Sequence, residues 1–162
     1  MFGADHDTRE FDDLMIKRLS PLVYLLIAIL LTVALHLLLP FRELIPFPWR
    51  LVGLLPLLLG IILNVLADRS LKRHEATVKP FAPSRALVTD GVYRVSRHPM
   101  YLGMVLILAA IAVLLGSLIP WLIVPLLVVF LDARFIRIEE SMLEATLGEA
   151  YRRHKKQARR WI

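Results

Sequence analysis

Four apolar blocks separated by polar stretches organise this chain, and the length of each block fixes what it can be. Pro21 to Leu39 runs 19 residues without an Asp, Glu, Lys or Arg. As a helix it would measure about 28 Å, close to the hydrocarbon thickness of a bilayer. Trp49 to about Ala67 is a second block, with Pro56 and two glycines as places to bend. Met100 to about Leu118 is the third. The fourth opens at Trp121, but its uninterrupted apolar run stops at Leu131, after about 17 Å of helix. Asp132, Arg134 and Arg137 then continue the same helical pattern. If that helix crosses a membrane, it carries these charges into the inner leaflet, where they need partners or a water-filled cavity.

The polar stretches divide into tight turns and long connections. Pro40, Pro46 and Pro48 join the first two blocks, and Gly116, Ser117 and Pro120 join the last two. Residues 69–98 form a long connection with Pro80 and Pro83, of a length more often functional than idle. The second helix is expected to run past the membrane, because Asn64, Asp68 and Lys72 repeat four apart on one face. Glu139, Glu140, Leu143, Leu147 and Tyr151 extend the fourth in the same way, with Gly148 as a break. Before the first block, five acidic residues replace the positive leader of a signal peptide. There Phe11, Leu14, Met15 and Leu19 fit either a short interfacial helix or a solvated tail.

Basic residues give the orientation. Three Lys/Arg precede the first block, seven lie in 69–98 and eight follow from Arg134, while the two short turns hold Arg42 and Arg50. Eighteen against two predicts both termini on the cytoplasmic side of an inner membrane. The fold expected is an all-α integral membrane protein of about four transmembrane helices, with a cytoplasmic helical extension at the C-terminus.

Composition adds little to this. A chain of 162 residues that is 57% hydrophobic reads as one domain over 1–162 and is too apolar for an ordinary soluble fold. The net charge of +6 suits anionic lipid headgroups, since no basic stripe interleaved with aromatics points to nucleic acid. There is no cysteine, hence no disulfide and no thiol chemistry.

The phosphate-loop, dinucleotide, zinc-protease and serine-hydrolase motifs are missing, and the five histidines lack the paired spacing of a metal site. What remains is a polar constellation at one end of the bundle. Arg97, His98 and Tyr101 stand at the start of the third helix, with Pro99 suited to a first helical turn. Glu139 and Glu140 leave the end of the fourth, and Arg159, Arg160 and Trp161 close the chain. A tight turn makes the third and fourth helices antiparallel neighbours, so their inner ends can meet. Arginine at a helix N-terminus suits an anionic group, and the facing carboxylates suit an ammonium, a sulfonium or ribose hydroxyls. A zwitterionic, nucleoside-like ligand matches both sides. Snorkelling charges paired only with one another explain the same residues.

Three segments carry a resemblance. Thr77-Val78-Lys79-Pro80, Leu87 through Tyr93, and Arg97-His98-Pro99-Met100-Tyr101-Leu102-Gly103 are followed by Glu139-Glu140, Leu143, Leu147-Gly148, Tyr151, His154 and Arg160. Together they resemble the signature of the isoprenylcysteine carboxyl methyltransferase family, related to the membrane phospholipid methyltransferases, over residues 77–160. Val92, Leu147 and His154 depart from it, where the family usually has proline, phenylalanine and often tyrosine. The resemblance implies S-adenosyl-L-methionine as methyl donor, leaving S-adenosyl-L-homocysteine. It implies Arg97, His98, Tyr101, Leu102, Gly103, Glu139 and Glu140 as cofactor-binding residues, with Gly103 allowing close approach to its backbone. It further implies Arg160, Tyr151 and His154 at the reacting end, with no metal. The acceptor it implies is lipid-like, the carboxylate of an isoprenylcysteine-type substrate being the leading case. A surplus of arginine over free carboxylate tilts the reading the same way. Phospholipid amine N-methylation, a sterol-reductase-type NADPH enzyme and a non-catalytic membrane scaffold are the alternatives.

Overall fold

The computed structural model describes residues 20–39, 43–74 and 87–162. The segment expected to lie in the interface before Ser20, Pro40, and the stretch holding Thr77–Pro80 and Pro83 fall outside the described residues. Among the described residues the fold is helical, with two isolated backbone bridges and no sheet. As expected, this is an all-α integral membrane protein. Helices over 21–38, 49–73 and 119–147 are long and apolar enough to cross a membrane, and the helix over 99–115 is shorter.

Helix α1 (Pro21–Leu38) starts where Ser20 offers its hydroxyl to the Leu22 amide at 3.4 Å and Pro21 supplies a preset first turn. Pro21, Leu25, Ala28 and Thr32 form its buried stripe, while Leu22, Leu26 and Leu30 face outward as lipid-facing side chains do. Thr32 is reconciled with that stripe because its hydroxyl donates to the Ala28 carbonyl at 2.7 Å.

A 3₁₀ turn (Trp49–Gly53) leads into α2 (Leu54–Arg73), which extends past the apolar block as the Asp68–Lys72 spacing predicts; that pair closes at 2.6 Å. Gly53, Gly60 and Ala67, seven apart, are the buried positions of this span. They lie against α3 (Pro99–Leu115), whose Gly103 and Ala110 show the same spacing. A Cβ on Gly60 would fall 2.7 Å from the Gly103 carbonyl, and one on Gly53 would fall 2.9 Å from that of Ala110. In lipid, where apolar burial drives helices together only weakly, such close backbone approach is a main source of association.

The end of the bundle away from the charged cluster is locked by polar contacts. Gly116 closes α3 in the left-handed region (φ 72°), and its carbonyl accepts from the Leu44 and Ile45 amides. Arg50 packs over Gly116, donates to the Ile45 carbonyl at 2.7 Å and pairs with Glu43 at 2.8 Å. His36 is satisfied by Ser117, 2.7 Å away.

The fourth span is one path from Ile119 to Leu147. It comprises a 3₁₀ turn (Ile119–Leu122), α4 (Ile123–Leu131), a π turn (Asp132–Ile136) and α5 (Arg137–Leu147). The π turn sits where apolar sequence gives way to charge, and such insertions are frequent at functional sites. Gly148 (φ 51°) ends α5, and α6 (Glu149–Gln157) folds back toward the bundle with Tyr151 and His154 buried. Leu25, Ala28, Tyr101, Met104, Leu108, Leu127, Leu131, Phe135 and Ile136 make the core, drawn from α1, α3 and the fourth span.

Candidate active site

The third and fourth spans bring their polar ends together, as their antiparallel arrangement requires. Arg97 Nη2 meets Glu140 Oε1 at 2.8 Å, with both side chains almost wholly buried. The Tyr101 hydroxyl donates to Glu139 Oε1 at 2.6 Å. His98 lies between the acids, with Nδ1 3.7 Å from Glu139 Oε2 and Nε2 3.5 Å from Glu140 Oε1.

The chain end closes this cluster. Ser96 and Arg159 form a backbone bridge, and the Arg97 amide donates to the Arg159 carbonyl at 2.9 Å. Arg97 Nη1 reaches the Lys155 carbonyl at 3.1 Å. Ser96, itself buried, accepts the His98 amide at 3.2 Å and donates to the Arg160 carbonyl at 3.4 Å. Arg160 then grips Glu140 with Nη2 at 2.7 Å and Nε at 3.2 Å, and reaches Asp132 with Nη1 at 3.2 Å.

Charge is unevenly answered here. Glu140 receives Arg97 and Arg160, and Asp132 receives Arg160 and Arg137. Among the described residues Glu139 has no Lys or Arg partner; it has Tyr101 and the more distant His98. Two buried polar atoms, Arg97 Nε and the Tyr151 hydroxyl, have no hydrogen-bond partner among the described residues, and His98 Nε2 has only the 3.5 Å approach to Glu140. Buried groups left in this state cost free energy, and two in one cluster point to a polar ligand.

Outside the spans, burial and neighbouring charges shift Tyr151, His154 and Tyr93, among others. Burial pushes the Tyr151 phenol up, helped by Glu140 and opposed by Arg97 and Arg160. Burial, then Arg97 and His98, hold His154 below the usual histidine range. Burial, then Glu139 and Asp68, push up Tyr93. His154 is therefore neutral at physiological pH, a state able to accept a proton.

Of the residues singled out from sequence, Arg97, His98, Tyr101, Glu139, Glu140, Tyr151, His154 and Arg160 converge. Leu102 is half-buried on α3 beside Tyr101. Gly103 points elsewhere: its α-carbon faces α2, where a Cβ would collide with the Asn64 amide and fall 2.8 Å from the Gly60 carbonyl. The close approach it permits is to a helix. Asn64 donates back to Gly60 at 2.9 Å, completing that seam. Arg97 and Arg160 are both engaged by carboxylates. Sequence reasoning placed Tyr93 in the matching segments but gave neither it nor Ser96 a role. It noted Asp132 only as a charge too deep to stand alone, which was the signal available.

Residues 49–150 match the phospholipid methyltransferase family. An uncharacterized protein of Haemophilus influenzae is 40% identical over 63 residues, covering 39% of this chain and 100% of that protein. The protein-S-isoprenylcysteine O-methyltransferase of Schizosaccharomyces pombe is 33% identical over 70 residues, 43% of this chain and 30% of that enzyme. The solved structure of the eukaryotic intramembrane Ras methyltransferase, isoprenylcysteine carboxyl methyltransferase, superposes with a TM-score of 0.61 at 25% identity. The likeness covers 88% of this chain and 50% of that one, so this chain spans half the length or less of these two enzymes. With more than half of its residues matched, the chain belongs to the phospholipid methyltransferase family.

Proposed function

We propose that this protein is an S-adenosyl-L-methionine-dependent methyltransferase of the inner membrane, acting at the cytoplasmic face on a lipid-like acceptor of the isoprenylcysteine type. The observation that carries this is the acid pair held against the Arg97–His98 mouth of α3, with the buried Arg97 Nε and Tyr151 hydroxyl unanswered beside it. Family membership supports methyl transfer over the reductase and scaffold readings. The distribution of Lys and Arg supports the cytoplasmic orientation.

The donor set fits the cofactor. Glu139, the carboxylate without a Lys or Arg, suits an ammonium or sulfonium, and Tyr101 fixes its orientation. Arg97 Nε and the Tyr151 hydroxyl are donors suited to a carboxylate or a ribose oxygen. His98 stands between the two sides. When bound, S-adenosyl-L-methionine supplies an electrophilic methyl group on a sulfonium. The protein's own contribution is then alignment and exclusion of water, for which the buried pairs and the core aromatic Phe135 provide a rigid wall. A carboxylate acceptor needs no base.

Phospholipid amine N-methylation is the second reading, favoured by one observation. Arg160 is committed to Glu140 and Asp132, which leaves it less able to orient an acceptor carboxylate.

Both readings are tested together by binding and transfer. Purified protein should bind S-adenosyl-L-homocysteine in calorimetry and move labelled methyl from the cofactor to a prenylcysteine analogue. Label arriving instead in ethanolamine phospholipids selects the amine reading. Failure to bind S-adenosyl-L-homocysteine at all refutes the methyltransferase reading.

A further inference from the structure

We infer that Asp132 is a positioning residue of this site: from the π turn it holds Arg160, and through Arg160 it seats the chain end over the acid pair. The inference deepens the reading above and rests on it only for its effect on ligand affinity.

Asp132 lies directly after the wholly buried Leu131, at the point where the fourth span leaves its apolar run. A carboxylate at that depth must be paired. One partner is local: Arg137 Nε stands 2.8 Å from Oδ2, on an exposed side chain one turn along the same helix. The other is distant in sequence, Arg160 Nη1 at 3.2 Å from Oδ1. The distant contact alone bridges two parts of the fold. Arg160 divides its guanidinium between two acids, giving Nη2 and Nε to Glu140 and Nη1 to Asp132, so the fork is fixed at both ends. Next to it, the Arg159 and Arg160 carbonyls take the Arg97 amide and the Ser96 hydroxyl.

The chain end thus forms a strap from the fourth span to the mouth of α3, with Asp132 as its outer anchor. Released from Asp132, Arg160 keeps one acid instead of two, and its guanidinium is free to rotate about that contact. The strap loosens, and Ser96, Arg97 and His98 lose part of the framework that orients them. Asp132 touches neither His98 nor Glu139 in this arrangement; its influence runs through Arg160.

The test uses the full-length protein in nanodiscs and follows hydrogen exchange peptide by peptide in Asp132→Asn, Asp132→Glu and the unaltered chain. Asp132→Asn is expected to speed exchange about tenfold in residues 158–162 and 95–98, the scale set by one charge-assisted hydrogen bond. Exchange in α1 and α2 is expected to stay unchanged, and Asp132→Glu to restore most of the protection. In parallel, S-adenosyl-L-homocysteine should bind Asp132→Asn several-fold more weakly, and KM should rise more than kcat falls. Unchanged exchange in the strap overturns the inference, as does faster exchange spread evenly through α1 and α2. If the unaltered chain fails to bind S-adenosyl-L-homocysteine, the methyltransferase reading falls, and exchange alone decides the role of Asp132.

Discussion

Arg97 and Glu140, 43 positions apart, meet at 2.8 Å with side chains 8% and 5% exposed, the most deeply buried arginine–carboxylate pair among the described residues. An ion pair so placed costs more to break than to keep, because either partner left alone is a buried, unanswered charge. Arg97→Ala is expected to destabilise the protein by about 3 kcal/mol, since Arg160 still answers Glu140. Glu140→Gln should cost as much and also weaken S-adenosyl-L-homocysteine about tenfold or more. Denaturation in detergent and calorimetry on both single variants and the double variant measure the coupling. Additive effects would show that the two residues do not act as a pair.

Tyr101→Phe removes the hydroxyl that orients Glu139 and leaves the aromatic packing against Phe135, 6.2 Å between centroids. The expected outcome is a loss of about tenfold in S-adenosyl-L-homocysteine affinity with a smaller change in stability. Equal affinity in the variant would remove Glu139 from the proposed binding set.

The glycines separate two physical causes. Gly60→Ala places a methyl 2.7 Å from the Gly103 carbonyl, so α2 and α3 must part, at a cost of about 1–3 kcal/mol. Gly148→Ala meets no atom within 4 Å but forces an L-residue to φ 51°, at a cost of about 1 kcal/mol. Thermal unfolding midpoints should fall in both. Only Gly148→Ala should disturb exchange in α6 while sparing α2.

Acid should weaken the fold through His154. Its folded pKa lies below the ordinary 6.5, because it is buried and faces Arg97 and His98. The unfolded chain therefore takes up a proton that the folded chain refuses. The stabilisation is complete above pH 6.5 and is lost as pH falls through the folded value. Between pH 7.5 and 5.5 the unfolding midpoint should drop, and His154→Tyr should flatten that slope. An unchanged slope in His154→Tyr would clear this residue of the effect.

Much of this was legible in the residues. Blocks of membrane-spanning length mark their own helices, and the tight turn at Gly116–Pro120 forces the His98 and Glu139 ends together. The Asp68–Lys72 extension and the break at Gly148 were likewise readable, because spacing and glycine carry them locally. The rest depends on contacts between distant segments. The stripe of Gly53, Gly60 and Ala67 is visible only once its partner helix is known, and without it Gly103 looked like a ligand contact. The return of Arg159 to Ser96 is made by backbone, which leaves no side-chain pattern. Arg160 looked available in the sequence because nothing there reveals that two acids claim it.

The π turn at Asp132–Ile136 governs more than its five residues. A wide turn accommodates one residue beyond what a regular helix would hold there. It therefore sets the azimuth of everything downstream, since each residue of an α-helix advances the phase by about 100°. Winding the same five residues as regular α-helix would leave the composition of the site intact yet swing both glutamates about a quarter-turn off the arginine and tyrosine they now meet. Any transplant of this helix into another scaffold must carry the irregularity with it, or the two glutamates will lose the side they now share with Arg97 and Tyr101.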